Sequence, residues 1–237
     1  HGDARVDPES LNRFVAAYQK VEDLRLGELW AIPIMLRLAM IENLRRVGGH
    51  VVEGMFHRQM ADTWADEMIS VAEKDPTNLI LVIADMARSN PPLVSSFVAA
   101  LARRLQGQSS ALALPLTWIE QRLSASGSTI EQMVQAETQG QAANQLSISN
   151  CIFSLRALGA IDWREFVESM SSVEKILRED PGGVYGLMDF STRDRYRHVV
   201  ERVARHAPAS ESDVARTAIR LSGEGEVRHV GFYLIDE

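Results

Sequence analysis

The chain has 237 residues, of which 46% are hydrophobic and 24% are charged, with 15 Gly and a single Cys. This composition excludes collagen, low-complexity disorder and a small disulfide-stapled scaffold, because their signatures are missing. The formal net charge of −7 favours solubility and works against non-specific binding to nucleic acid. We therefore expect a soluble domain with a packed core and no nucleic-acid partner.

Neither a membrane span nor a targeting segment is predicted. The longest windows without charge, residues 105–119 and 138–155, are interrupted by Gln, Ser, Thr and Asn, so neither resembles a transmembrane helix. The first ten residues, HGDARVDPES, lack the pattern of a signal peptide. The unpaired Cys151 favours a reducing, cytosolic setting. Because both ends look like cut ends, we expect the sequence to be a piece of a longer polypeptide.

Hydrophobic residues recur at helical spacing along almost the whole chain. Asp7 and Pro8 predict an N-cap followed by proline in the first turn. Residues 26–47 form a long apolar pattern in which Pro33 predicts either a kink or the meeting of two helices. A separate helix is predicted to end at Asp75.

Ser-x-x-acid sequences predict the starts of four later helices, because a serine and an acid at this spacing can cap each other's backbone N–H groups. They are Ser128 with Glu131, Ser171 with Glu174, Ser191 with Asp194, and Ser210 with Asp213. Only Val230–Ile235 favours a strand or an extended tail. The prediction is an all-α, multi-helix bundle of about ten helices with irregular, non-repeat packing. Its boundaries are a single helical domain over 1–222 and a linker with an extended tail over 223–237.

Motifs for common chemistry are missing. The sequence contains no GxxxxGK[ST] phosphate-binding loop and no Asp-x-Asp pair of the kind that holds a nucleotide sugar and its metal. The six His residues are dispersed, without Cys or His neighbours at metal-ligand spacing. We therefore predict no catalytic residue, no metal site and no cofactor in this chain.

One candidate site follows a predicted turn and is dense in charge. Arginine side chains there could bind phosphate or carboxylate, but alternating charges at a helix start also form a solvated face or an internal ion-pair network. We interpret the residues as an ion-pair cluster that fixes an interface. They are Asp189, Arg193, Asp194, Arg195 and Arg197.

A second candidate is a buried polar network. The window 139–156 is uncharged until its last residue and is rich in Gln, Asn and Ser, and buried amides need hydrogen-bond partners. Glu42 and Arg46 have the spacing of a helical ion pair within an otherwise apolar run. The predicted members are Asn144, Gln145, Asn150, Glu42 and Arg46.

Three stretches together resemble the cyclic β-1,2-glucan synthases, which are large bacterial membrane enzymes. The stretches are residues 11–47 (LNRFVAAYQKVEDLRLGELW and onward), 141–207 (which includes SSVEKILREDPGGVYGLMDFSTRDRYRHVVERVARHA) and 228–237 (RHVGFYLIDE). They cover about half of the chain. The segment between the first two is less distinctive.

The resemblance implies a parent enzyme that transfers glucose from UDP-glucose onto a growing β-1,2-glucan. It places this piece before the first transmembrane helices and the transferase domain, on the cytoplasmic face of the inner membrane. Our hypothesis is a non-catalytic helical region that supports or regulates the transferase, with the rest of the parent as its partner. Two alternatives remain: a free-standing protein-interaction module, and a glycan-binding or glycan-cleaving domain in which Asp189 and Asp194 flank a sugar.

Overall fold

The computed structural model describes residues 5–235 and contains, in that range, eleven α-helices, three 3-10 helices and no strand. The α-helices are α1 (Pro8–Tyr18), α2 (Leu26–Lys74), α3 (Leu79–Ser89), α4 (Ser95–Leu105), α5 (Ala113–Ser124), α6 (Ile130–Ala160), α7 (Trp163–Met170), α8 (Ser172–Leu177), α9 (Phe190–His206), α10 (Glu211–Glu224) and α11 (Val230–Leu234). The 3-10 helices are Pro76–Asn78, Ser110–Leu112 and Tyr185–Leu187. The predicted all-α class is confirmed.

The longest helix, α2, runs for 49 residues and includes Pro33 in its interior. The prediction of separate helices on the two sides of residue 50 is therefore wrong. A proline inside a helix costs one backbone hydrogen bond and about 3 kcal/mol. Burial of Leu26 and Leu29, which are 2% and 0% exposed, stabilises this part of α2 and offsets that cost.

Of the predicted capping sequences, the one at Ser210 forms in full, the one at Ser171 forms in part, and Ser191 does not cap α9, whose N-cap is Asp189. Ser171 accepts a hydrogen bond from the Glu174 backbone N–H (3.1 Å) at the start of α8. Ser210 and Asp213 cap each other reciprocally at the start of α10. Local side-chain chemistry therefore determines where these helices begin.

The capping sequence predicted at Ser128 lies one residue later than predicted. The Thr129 hydroxyl accepts from the Gln132 N–H at 3.2 Å, and the Gln132 side chain accepts from the Thr129 N–H at 3.0 Å. The helix α6 accordingly begins at Ile130. A Thr-x-x-Gln pair replaces the predicted Ser128 and Glu131 because both kinds of pair satisfy the same free N–H groups.

The chain forms two compact units. Unit 1 contains the described residues up to Ile41 and those from Ile152 onward, and unit 2 contains Glu42–Cys151. The boundaries predicted at 1–222 and 223–237 stay a prediction. Within residues 5–235, no helix combines the length and the low polarity that crossing a membrane requires.

Unit 2 has one hydrophobic core, built by the second half of α2 with α3, α4 and α5. Its centre includes Met68, Phe97, Leu101 and Ile119, each 0% exposed. Removing such side chains from water supplies the main stabilisation of this unit.

Unit 1 contains two clusters of buried apolar residues. The first joins α1, the start of α2 and α7 around Leu29 and Val167, and the second joins α8, α9, α10 and α11 around Leu177 and Val200. The second cluster lies next to the charged residues of α9, so it positions the predicted ion-pair cluster.

The end of the described chain differs from the prediction. Val230–Leu234 is a short helix, α11, and not a strand or an extended tail. Val230 is fully buried in the second cluster of unit 1. A pattern of β-branched and aromatic residues indicates burial as much as strand structure, which explains why a strand or an extended tail was wrongly predicted here. The last two residues of the predicted tail, 236 and 237, lie outside the described residues.

Candidate functional site

The first residue of the predicted charged cluster, Asp189, is the N-cap of α9 and is exposed. Its carboxylate accepts hydrogen bonds from the Thr192 N–H (2.9 Å) and from the hydroxyl groups of Ser191 (2.5 Å) and Thr192 (3.0 Å). These bonds favour the charged form and lower the pKa of Asp189 to about 2. Asp189 therefore fixes the start of the helix that carries the arginines.

Arg193 and Arg197 are four residues apart and lie on the same side of α9. Arg193 binds the Glu168 carboxylate of α7 with two N–H groups, at 3.0 Å from Nε and 2.9 Å from Nη2. Its Nη1 donates to the Met188 carbonyl, and its Nε lies 3.5 Å from Oε1 of Glu174. This bidentate contact with Glu168 fixes the orientation of the Arg193 guanidinium plane.

Arg197 is the largest fully buried side chain among the described residues. Its Nη1 donates to Glu168 Oε1 at 3.0 Å and to Glu174 Oε2 at 2.5 Å, and its Nη2 donates to Asp194 Oδ1 at 3.0 Å. The guanidinium carbon lies 5.1 Å from the centre of the Phe190 ring. Burial by itself would lower the pKa of Arg197, but the three carboxylates outweigh it and raise that pKa.

Glu174, only 1% exposed, joins α8 to this arrangement. The Tyr185 hydroxyl donates to its Oε2 at 2.7 Å, and the Arg178 Nε lies 2.8 Å from its Oε1. Burial raises the pKa of Tyr185, and the nearby Glu174 carboxylate raises it further, so the hydroxyl stays a donor. We call the six acidic and basic side chains the buried ion-pair network, after its two buried members, Arg197 and Glu174. The six are Arg178, Arg193, Arg197, Glu168, Glu174 and Asp194.

The buried ion-pair network only partly follows the predicted cluster. Arg193, Asp194 and Arg197 are members, whereas Arg195 lies on the exposed side of α9. Glu168 was missed because nothing in its local sequence indicates a contact with α9. The capping signal at Glu174 predicted a helix start, but not that this carboxylate would be buried.

A second buried carboxylate, Asp180, holds the end of unit 1 in place. Its Oδ1 accepts from the Val230 N–H at 2.8 Å, and its Oδ2 accepts from the Tyr185 N–H at 3.1 Å and lies 3.1 Å from the His229 Nδ1. Burial by itself would raise the pKa of Asp180, but these hydrogen bonds and His229 more than offset it and lower that pKa. One carboxylate thus ties the start of α11 to a turn fifty residues earlier.

The predicted pair of Glu42 and Arg46 takes other partners, and both side chains are exposed. Glu42 accepts from Arg45 at 2.7 and 2.8 Å, and Arg46 donates to the Asn43 side-chain oxygen at 2.9 Å. Both contacts span three residues instead of four, and either spacing brings side chains together on a helix. Neither residue therefore belongs to a buried polar network.

Asn43 is a polar residue of α2 that reaches α6 within unit 2. Its Nδ2 lies 3.0 Å from the Ser147 hydroxyl and 3.0 Å from the Cys151 sulfur. Cys151 is a buried free thiol, and Asn150 beside it is half-buried. Asn43 is not among the predicted members of the buried polar network, because an asparagine between charged residues gives no signal of burial.

Asn144 and Gln145 line a groove of about 560 Å³ that α2, the start of α4 and α6 enclose within unit 2. Asn144 is half-buried and Gln145 is exposed. In the same lining, Arg58 donates to Glu137 at 2.9 Å, and the Ser95 hydroxyl donates to the same carboxylate at 3.0 Å. We call this groove the amide groove.

Among the described residues, no group of three or more His, Cys, Asp or Glu side chains is placed to hold a metal ion.

Comparison with known proteins gives one informative match. The chain is 33% identical over 226 residues to the cyclic beta-(1,2)-glucan synthase NdvB of Rhizobium meliloti (strain 1021). The resemblance to cyclic β-1,2-glucan synthases is confirmed. The match covers 95% of the chain, so it also includes most of the less distinctive segment between residues 47 and 141. No protein-family profile matches the chain.

The chain spans only 8% of the length of NdvB. The match therefore relates 95% of this chain to a small region of a glucan synthase. The activity of the whole synthase is a property of a much longer polypeptide.

Proposed function

We propose that this chain is a non-catalytic helical region of a cyclic β-1,2-glucan synthase, where it supports or regulates glucose transfer from UDP-glucose. The observation that carries the proposal is the 33% identity to NdvB over 95% of the chain. On this proposal, its partner is the rest of the synthase, and it lies before the membrane-embedded part on the cytoplasmic side.

The carboxylates of α9 support a structural role. Glycosidases need two carboxyl groups that face each other across a sugar-binding groove. Asp189 instead caps α9, and Asp194 is bonded to the buried Arg197. Because both groups are engaged in folding contacts, the glycan-cleaving alternative receives no support from this pair.

An exposed apolar face on α2 supports contact with another protein surface. Ile34, Met35, Leu38 and Ile41 are 65%, 60%, 57% and 56% exposed. They recur at helical spacing within unit 1, and apolar clusters left in contact with water commonly mark interaction sites. We take another part of the synthase as the partner of this face. The same observation favours the second candidate function, a free-standing interaction module.

Calorimetry tests the non-catalytic assignment. The chain is titrated with UDP-glucose in the presence of Mg²⁺ or Mn²⁺, and released glucose is assayed in the same samples. We expect neither binding heat nor glucose release. Tight, metal-dependent binding of UDP-glucose would contradict the proposal, because the donor site belongs to the transferase domain on this view.

A capture experiment separates the two candidate functions. The immobilised chain should retain the transferase region of the synthase, and Leu38→Glu should weaken that retention. Arg13→Glu, a change at an arginine whose side chain is 73% exposed on α1, is the control. Specific capture of an unrelated protein that an excess of the transferase region does not displace would favour the free-standing module.

A further inference from the structure

The amide groove carries polar side chains that the fold does not use. Asn144, Gln145 and Ser149 line it, and the side chain of none of the three makes a hydrogen bond with the described residues. Each amide offers one acceptor and two donors, and each hydroxyl offers both functions. We propose that the amide groove binds a neutral oligosaccharide.

The charge distribution of the groove disfavours an anionic ligand. Arg58 is the only Lys or Arg among the described lining residues, and Glu137 already engages it at 2.9 Å. Glu137 also accepts hydrogen bonds from Ser95 and from the Gln141 side chain at 2.8 Å. Glu53 adds a further negative charge to the lining. A phosphate or carboxylate would find no unpaired arginine or lysine, whereas sugar hydroxyls need only the neutral amides.

Shape and apolar lining fit the same ligand class. A volume of about 560 Å³ lies within the range of small-molecule sites. Val51, Val94 and Ile148 line the groove beside the amides, and the C–H faces of a pyranose ring can pack on such side chains. The only rings in the lining are the imidazoles of His50 and His57, so stacking on large aromatic rings contributes nothing. We therefore expect weak binding, with a Kd on the order of 1 mM.

Two glycines of α6 provide a matched test. A Cβ atom built at Gly140, which lines the groove, meets no other atom within 4 Å, and the same holds at Gly159, which does not line it. A tryptophan at either position replaces a helix-interior glycine and raises helix propensity. Gly140→Trp fills the groove, whereas Gly159→Trp leaves it open.

The experiment is a titration of the 237-residue chain with linear β-1,2-gluco-oligosaccharides, with maltoheptaose and UDP-glucose as comparison ligands. The choice of β-1,2-glucan as first probe rests on the proposed function, but the preference for a neutral sugar does not. Circular dichroism checks that each variant is folded. Asn144→Ala and Gln145→Ala, which remove one amide each, provide a second reading and should weaken binding about two- to tenfold.

We expect binding of the β-1,2-gluco-oligosaccharide that is lost in Gly140→Trp and retained in Gly159→Trp. Binding of maltoheptaose alone, with the same response to the variants, supports the groove as a sugar site but counts against the proposed link to glucan synthesis. The proposal is overturned if no neutral oligosaccharide binds, or if Gly140→Trp binds the oligosaccharide as well as the unchanged chain does. It is also overturned if UDP-glucose is the only ligand whose binding is lost in Gly140→Trp.

Discussion

The Arg197 Nη1 lies 2.5 Å from the Glu174 Oε2, and the two side chains are 0% and 2% exposed. Charges removed from water in this way are costly unless each is paired and hydrogen-bonded. Here the buried ion-pair network supplies three guanidinium groups for three carboxylates. Because its members come from α7, α8 and α9 and the segment after α8, it also determines which faces of these helices pack together.

Replacing the central arginine should destabilise the fold strongly. Arg197→Met preserves much of the side-chain volume but removes the one fully buried guanidinium that contacts Glu168, Glu174 and Asp194. Loss of one partner from a buried ion pair costs about 3–5 kcal/mol, and urea unfolding followed by circular dichroism measures it. Arg195→Ala, on the exposed side of α9, is the control and should change stability by less than about 0.5 kcal/mol. Equal effects of the two substitutions would rule out the assigned difference in burial.

The Tyr185 hydroxyl should contribute to the same network. Tyr185→Phe removes the 2.7 Å hydrogen bond to Glu174 without opening a cavity. A hydrogen bond to a buried charged group contributes about 1.5–3 kcal/mol, so we expect Tyr185→Phe to lower the free energy of unfolding by an amount in that range. Tyr18→Phe, at a tyrosine that is 45% exposed, is the matched control. In the Arg197→Met background, the free energy of unfolding lost through Tyr185→Phe should differ by more than about 0.5 kcal/mol from the loss in the unchanged chain, because residues of one network are coupled. Strictly additive losses would contradict a shared network.

Asp180 should make stability depend on pH in the acid range. Because hydrogen bonds and His229 lower its pKa in the folded chain, folding favours the charged carboxylate. Its contribution is therefore present above the unfolded pKa of about 3.9 and is lost as the pH falls through the folded value. Asp180→Asn should destabilise the chain by about 1–3 kcal/mol at pH 7, and the difference from the unchanged chain should shrink below about pH 4. Unfolding curves at a series of pH values test this, and a difference that stays constant down to pH 2 would refute it.

Gly182 should tolerate no side chain. A Cβ atom at this position would lie 2.6 Å from the Arg228 carbonyl oxygen, which is backbone and cannot rotate away, whereas a Cβ atom at Gly186 meets nothing within 4 Å. We expect Gly182→Ala to cost about 1–3 kcal/mol through overpacking. Gly186→Ala is the matched control and should be near neutral. Thermal melts of both variants test the close approach of residues 228–235 to this turn, and two unchanged melting temperatures would exclude it.

Several features of the fold were predictable because their causes are local. The caps at Ser171 and Ser210 act on N–H groups three residues away, so the sequence contains all the necessary information. The continuity of α2 through Pro33 was not predictable from the same kind of pattern. Whether a helix continues past a proline depends on burial of its flanking residues against other segments.

The amino-acid sequence by itself determined the helical class, the helix starts at most serine and aspartate caps, and the resemblance to cyclic β-1,2-glucan synthases. Only the tertiary structure decided which arginine is buried. Arg195 and Arg197 have similar local surroundings, yet Arg197 faces Glu168 and Glu174, which lie 29 and 23 residues earlier. The tertiary structure also made a helix of Val230–Leu234, because Asp180 binds the Val230 N–H across fifty residues. Capping is a short-range effect, whereas burial and charge pairing depend on segments that meet only in the folded chain.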